Sequence, residues 1–202
     1  MTRIILVRHG ETDWNKQERM QGQTDVPLSS QGRLQADKVA KRLKEEPISA
    51  VYSSDLSRAY HTAKTIADEH RLSVTKDADL REVDFGLWEG LHRKNVLENY
   101  KEMYHAWLHR PFEVRPPEGE NFKEVQERAH KALLTIAKRH ENETIVMVAH
   151  GGMIKSIICK YLDGGFWDYA QGNTAVNIVE YEEDQLDFIS LNDLAHLEEV
   201  ND

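Results

Sequence analysis

Strand-like and helix-like apolar patterns alternate along the 202 residues, which predicts an α/β fold with a mainly parallel sheet. Two further observations place chemistry on that sheet. Ile4-Ile5-Leu6-Val7 runs straight into Arg8-His9-Gly10, and the nearly all-apolar run from Thr144 to Ala149 ends in His150-Gly151-Gly152. Central strands of one parallel sheet that end in the same way deliver both imidazoles to the carboxyl edge, where open α/β sheets hold their ligands.

The elements follow in order. After the first strand comes a polar loop, residues 10–28, closed by Pro27. Ser29 or Ser30 opens a helix whose apolar positions Ala36, Val39, Ala40 and Leu43 keep helical spacing. Residues 48–53 read as a second strand, and a helix near 56–70 carries Ala59, Thr62, Ala63 and Ile66 on one face. Strand-like residues follow at 72–75. Residues 83–118 are less regular and rich in Trp, His and Tyr, bounded by Gly86 and Gly90 and by Pro116-Pro117. They predict an insertion of one or two helices lying over the sheet edge and the active site, within a single domain spanning 1–202. A long amphipathic helix at about 120–140 shows Phe122, Val125, Ala129, Ala132, Leu133 and Ile136. The run from Thr144 to Ala149 has the composition of a strand buried on both faces. A helix then extends through Leu162, and residues 175–182 and 186–191 form a closing hairpin. The acidic stretch at about 193–202 is expected to be mobile.

Composition narrows the function. Forty per cent hydrophobic and 30% charged residues describe an ordinary globular chain. With 26 basic against 35 acidic residues the net charge is −9, which argues against a broad nucleic-acid-binding face. Cys159 is the only cysteine, so neither an intrachain disulfide nor a cysteine-rich metal site can form. No stretch is apolar for long enough to span a bilayer, and the amino terminus lacks a signal-like pattern. The expectation is a cytoplasmic protein with neither membrane nor nucleic-acid partners.

The candidate chemistry collects at four places. Arg8 beside His9 sets a planar fork of donors next to a potential nucleophile, a pairing suited to phosphate. Gly151 lets a helix amino terminus approach an anion. Ser53-Ser54-Asp55-Leu56-Ser57-Arg58 puts Arg58 in the first turn of a helix, where a cation opposes the dipole. Either an anionic ligand resolves that conflict, or Asp55 pairs with the arginine on the surface. The fourth, Leu80-Arg81-Glu82-Val83-Asp84-Phe85-Gly86, holds acids ahead of a glycine turn and by itself is only a charged loop.

Taken together, Arg8-His9-Gly10-Glu11-Thr12 with Asn15, Ser53-Ser54-Asp55-Leu56 with Arg58, Glu82 before Phe85-Gly86, and Val148-Ala149-His150-Gly151 resemble the histidine phosphatase superfamily, the phosphoglycerate mutase-like proteins. The resemblance covers nearly the whole chain, in order. It implies a three-layer α/β/α fold and a two-step reaction through phosphohistidine on His9. It implies that Arg8, Arg58 and His150 hold the phosphoryl oxygens, with Asn15 and the Gly151 amide completing the cradle. Gln21 and Gly22 would line the substrate pocket, and Glu82 would protonate the leaving oxygen and then activate water. The implied partner is a small-molecule phosphate ester, with no cofactor and no metal, since two arginines and a second imidazole can stabilise the transferring group.

The superfamily holds hydrolases and mutases. Arg93 stands where mutases place a basic substrate contact, but Arg110 lacks the adjacent arginine that they carry, and Pro116-Pro117 leads at once into the next helix. A phosphatase is the favoured expectation. A 2,3-bisphosphoglycerate-dependent mutase is the alternative, and a non-catalytic phosphate-binding module is a third. Trp88, Tyr104, Trp107 and Phe112 either wall the substrate pocket or simply pack the insertion. His105 and His109 share a helix face at metal-ligand spacing, with no accompanying carboxylate motif.

Overall fold

The computed structural model describes residues 1–198. Six strands form one sheet: β1 Thr2–Arg8, β2 Ile48–Ser53, β3 Val74–Lys76, β4 Thr144–Ala149, β5 Val176–Glu182 and β6 Gln185–Asp193. Their spatial order is β3-β2-β4-β1-β5-β6. β1 to β4 are mutually parallel, while the β5–β6 hairpin joins β1 antiparallel, as the closing-hairpin pattern predicts. The helices are α1 Asp13–Lys16, α2 Ser30–Leu43, α3 Ser57–Glu69, α4 Arg93–Asn99, α5 Lys101–His109, α6 Phe122–Ala137 and α7 Gly151–Tyr161.

The period of two along the strands sorts side chains into two cores. Ile5 and Val7 of β1 and Val146 and Val148 of β4 pack with Val39, Ala63 and Ile66 of α2 and α3. Ile4, Leu6, Ile145 and Met147 face the other way, onto Leu133 of α6 and Ile157 of α7. Both faces of β4 are therefore covered, and every residue in it is buried. The result is the three-layer arrangement.

Residues 83–118 contain a turn of 3₁₀ helix at Gly86–Trp88 followed by α4 and α5. They contribute Trp88, Val96, Tyr104 and Trp107 to the apolar cluster that also holds Phe122 of α6. The insertion thus shares a core with the sheet. Trp88 and Tyr104 are packing residues inside that core, edge to face with one another. Of the expected mobile tail, residues 193–198 take up defined structure, and 199–202 lie outside the described residues. Asp193 ends β6 and pairs with Arg42 of α2. A turn at Ala195–Leu197 then brings His196 Nε2 within 3.0 Å of the Thr174 hydroxyl. Among the described residues no helix is long and apolar enough to cross a membrane.

The loop after β1 is fixed against α2 by backbone-to-backbone packing. Ser29 caps α2 by accepting from the Gly32 amide at 3.0 Å, and the Ser29 amide donates to the Glu11 carbonyl at 2.9 Å. A Cβ on Gly32 would sit 2.0 Å from the Glu11 carbonyl oxygen, and one on Gly10 would sit 2.5 Å from the Gly32 carbonyl oxygen. Only glycine fits at this contact. Gly32→Ala is therefore expected to destabilise the fold by about 1–3 kcal/mol through forced displacement of the loop. Urea unfolding measures this directly, and an unchanged midpoint would contradict the packing argument.

Candidate active site

The parallel register sets Val7 beside Val148 and Arg8 beside Ala149, so β1 and β4 end level. The His9 amide donates to the Ala149 carbonyl at 3.0 Å, extending the ladder one residue beyond the strands. His9 and His150 consequently lie side by side, with ring centroids 5.1 Å apart. The next strand adds Ser54, whose amide donates to the Val148 carbonyl at 3.0 Å and so starts the turn into α3 and Arg58.

His9 is almost wholly buried. Its carbonyl accepts from the Thr174 amide and from Asn173 Nδ2, each at 3.2 Å, which fixes the backbone on which the ring is mounted. Nδ1 lies 2.6 Å from the Gly10 carbonyl oxygen. A carbonyl can only accept, so Nδ1 carries the proton and Nε2 keeps its lone pair. Burial, reinforced by the charges of Arg58 and Arg8, holds the His9 pKa well below the ordinary imidazole value. Burial has the same effect on His150, again helped by Arg58. Both rings are neutral at pH 7, as a nitrogen nucleophile requires.

Around this pair lie buried polar nitrogens with no hydrogen-bond partner among the described residues: Arg8 Nε, Arg58 Nε and both ring nitrogens of His150. Arg8 also donates to the Gln171 carbonyl at 2.5 Å. Arg58 is fully buried, and its terminal nitrogens donate to the Gly22 carbonyl at 2.6 Å and the Thr24 carbonyl at 3.0 Å. Burial brings its pKa down to about 10, against the opposing pull of Glu82. Asp55 does not pair with Arg58; it takes a two-pronged bond from Arg81, at 2.7 and 2.6 Å. Arg58 thus bonds to carbonyls and forms no direct ion pair among the described residues, which leaves its charge available to an arriving anion.

A cavity of about 230 Å³ opens in front of His9. It is lined by Arg8, His9, Asn15, Gln21, Gly22, Glu82 and Gly151, among others, while Arg58 and His150 are fully buried and are not among the lining residues. Two amides are oriented by Thr12. Its backbone N–H donates to Asn15 Oδ1 at 3.1 Å, and its hydroxyl donates to Gln21 Oε1 at 2.5 Å. With their oxygens engaged, both side chains have NH₂ groups left to offer a ligand.

Glu82 sits at the start of α7. Its carboxylate accepts from the amides of Gly152 at 2.9 Å, Met153 at 3.0 Å and Val83 at 3.0 Å. The helix terminus therefore orients the acid as well as facing the cavity. A Cβ on Gly152 would lie 2.5 Å from Glu82 Oε1, which explains the second glycine of the pair.

A family model described as the histidine phosphatase superfamily (branch 1) matches residues 4–194. The chain belongs to that superfamily. Phosphoserine phosphatase 1 of Hydrogenobacter thermophilus is 35% identical over 202 residues, covering 98% of this chain and 96% of the relative. A phosphoglycerate mutase-like protein of Arabidopsis thaliana shares 40% over 201 residues, covering 98% of this chain and 87% of its own length. Among solved structures, Bacillus stearothermophilus YhfR superposes with a TM-score of 0.93 at 33% identity, covering 98% of this chain and all of that one.

Several residues that serve the superfamily site here carry no signal in the sequence. Arg128 of α6 donates to the carbonyls of Asp79, Arg81 and Glu82, each at 2.8 Å, and so carries the segment that holds Glu82. Glu89 accepts from the amides of Gln23 at 2.7 Å and Thr24 at 2.8 Å, fixing the carbonyl loop that grips Arg58. Lys155, Phe166 and Trp167 join the cavity wall. Of Trp88, Tyr104, Trp107 and Phe112, Trp107 lines the cavity, where Phe85 joins it; Phe112 packs edge-on against Phe166. His105 and His109 are exposed on α5.

Two outcomes are expected. Gly152→Ala should lower kcat at least about tenfold by displacing Glu82, because a general acid contributes roughly 10²–10⁴-fold; steady-state kinetics with folding confirmed by circular dichroism decides it. Stability should also fall as the pH drops. The unfolded chain binds protons at His9 and His150 below the ordinary imidazole pKa of about 6.5, whereas the folded chain holds both rings neutral well below it. Stability is therefore complete above that value and is lost below it, by at most about 1.4 kcal/mol per pH unit for each histidine. Urea midpoints in phosphate-free buffer test this, and His9→Asn should show the shallower slope.

Proposed function

We propose that the protein is a metal-independent phosphatase that hydrolyses small phosphomonoesters through a phosphohistidine on His9. One observation carries the reading: a neutral imidazole, its Nδ1 proton held by the Gly10 carbonyl, beside buried and unpartnered donors of Arg8, Arg58 and His150. At about 230 Å³ the cavity falls below the roughly 300–1,000 Å³ usual for drug-sized ligands, which suits a small ester.

In the first step, which begins with Glu82 protonated, His9 Nε2 attacks phosphorus in line, the bond from phosphorus to the ester oxygen breaks, and Glu82 gives that oxygen its proton and is left as the carboxylate. The donors of Arg8, Arg58, His150, Asn15 and Gly151 stabilise charge on the equatorial oxygens. In the second step the Glu82 carboxylate takes a proton from water, the resulting hydroxide attacks phosphorus, and the N–P bond breaks. Inorganic phosphate leaves, and His9 and Glu82 return to their starting states. Nδ1 keeps its proton throughout, so the Gly10 carbonyl faces the ring as positive charge develops on it.

Hydrolysis is favoured over the mutase reaction by the position of Arg110. That residue is exposed, pairs with Glu113 at 3.2 Å, does not line the cavity, and stands between His109 and Pro111 without an adjacent arginine. Phosphoserine is the first ester to assay, given the name of the Hydrogenobacter relative.

Phosphate release from a panel of phosphomonoesters, assayed beside 3- to 2-phosphoglycerate interconversion, tests the proposal. Release without interconversion is expected, unchanged after exhaustive chelation, and lost by at least about 10³-fold in His9→Ala. Wild-type turnover in His9→Ala, or a strict requirement for a divalent metal, would overturn it.

A further inference from the structure

We propose that Lys155 selects the substrate: its ammonium takes a carboxylate carried by the phosphate ester and disfavours esters that carry an amino group. The inference deepens the phosphatase reading and relies on it for where the phosphoryl group sits.

Lys155 lies on α7, one helical turn beyond Gly151, and lines the same cavity as Arg8 and His9. It is half-buried, and among the described residues its ammonium has neither an ion-pair partner nor a hydrogen bond. Its neighbours are aromatic: Nζ lies 5.5 Å from the Phe166 ring centre and 5.4 Å from that of Trp167. Burial, with Arg8 as a further positive charge, depresses its pKa, and Glu82 opposes the shift. A half-buried ammonium held only by ring faces gains from an anion arriving beside it. Arg8 is committed to the phosphoryl group, so the anion at Lys155 is a second one.

The rest of the wall agrees. Arg19 and Arg93 also line it, and among the described residues Glu82 is the only carboxylate that does, with both oxygens already accepting amides. An ammonium on the substrate would meet three cations beyond the phosphoryl site and no unengaged carboxylate. The ring faces of Phe166 and Trp167 that could receive it already carry Lys155. A phosphorylated hydroxy acid satisfies this wall; a phosphorylated amino acid satisfies it only in part.

The test uses three probes in the His9→Ala protein, with binding measured by calorimetry. 3-Phosphoglycerate and glycerol 3-phosphate differ by a carboxylate in place of a hydroxymethyl group, and phosphoserine adds the ammonium. 3-Phosphoglycerate should bind about 10- to 100-fold tighter than glycerol 3-phosphate and tighter than phosphoserine. Lys155→Met should bring the first ratio below about threefold, and Lys155→Arg should preserve it. Lys155→Gln replaces the methionine variant should that one not fold. A ratio unchanged by removing the charge, or no preference in the parent protein, overturns the proposal; tighter binding of phosphoserine overturns its second half. Phosphate release by protein with His9 intact is read separately, so silence there removes the phosphatase reading while the binding ratios still decide the role of Lys155.

Discussion

The level ending of β1 and β4 is the constraint on which the rest of this site depends. Parallel pairing of Val7 with Val148 and Arg8 with Ala149 means that each chain leaves the sheet at the same height, one residue before its histidine. A one-residue slip would turn every side chain of a strand to the other face. Here both faces of β4 are buried in different apolar sets, so the packing of Ile145 and Met147 on one side and Val146 and Val148 on the other locks the register. The catalytic geometry is thus held by the hydrophobic core. The histidines need no bond to each other to stay 5.1 Å apart.

Around that fixed pair the protein maintains a concentration of positive charge that a folded chain would ordinarily avoid. Arg58 is fully buried on two carbonyls, and Arg8 keeps a buried Nε without a partner. Burial lowers the pKa of His9 most, and the charges of Arg58 and Arg8 add to it, so the proton that would spoil a nucleophile is kept off the ring. On the proposed phosphatase reading the effect of the two arginines on a bound phosphoryl group is the reverse, since the negative charge they lack would arrive with the substrate. The supporting layer keeps this arrangement from relaxing. Glu89 immobilises the loop whose carbonyls grip Arg58, and Arg128 immobilises the segment that presents Glu82. Each acts on backbone, which makes the positioning independent of side-chain rotamers.

The legible and the hidden parts of this chain differ for physical reasons. The strand at 144–149 coincides with β4 because a strand buried on both faces leaves an unbroken apolar run, while the strand at 48–53 coincides with β2, which is only partly buried and is anchored at Ile48, Val51 and Ser53. The helix expected near 120–140 is α6 at Phe122–Ala137, set at its start by the Asn121 capping box. Motifs at strand ends, Arg8-His9-Gly10 and His150-Gly151, could be read because local sequence dictates local geometry there. Within the expected loop at 10–28, the single turn α1 passed unseen, since four residues give no periodicity. Lys155 and Glu89 were hidden for another reason. Their roles come from what the fold brings near them, and the aromatic partners of Lys155 lie in the loop beyond its own helix. The acidic end of the chain read as mobile, yet Asp193 finds Arg42, and His196 finds Thr174, contacts no local pattern encodes.

The most direct test of the account is to catch the covalent intermediate on its nitrogen. Acid-labile label should appear within the first turnover when the protein is quenched in alkali after mixing with a ³²P-labelled phosphomonoester, and peptide mapping should place it on His9 Nε2. Turnover with label on another side chain, or with no covalent label under single-turnover conditions that resolve the chemical step, would contradict the central claim that the paired strand ends present His9 as the nucleophile.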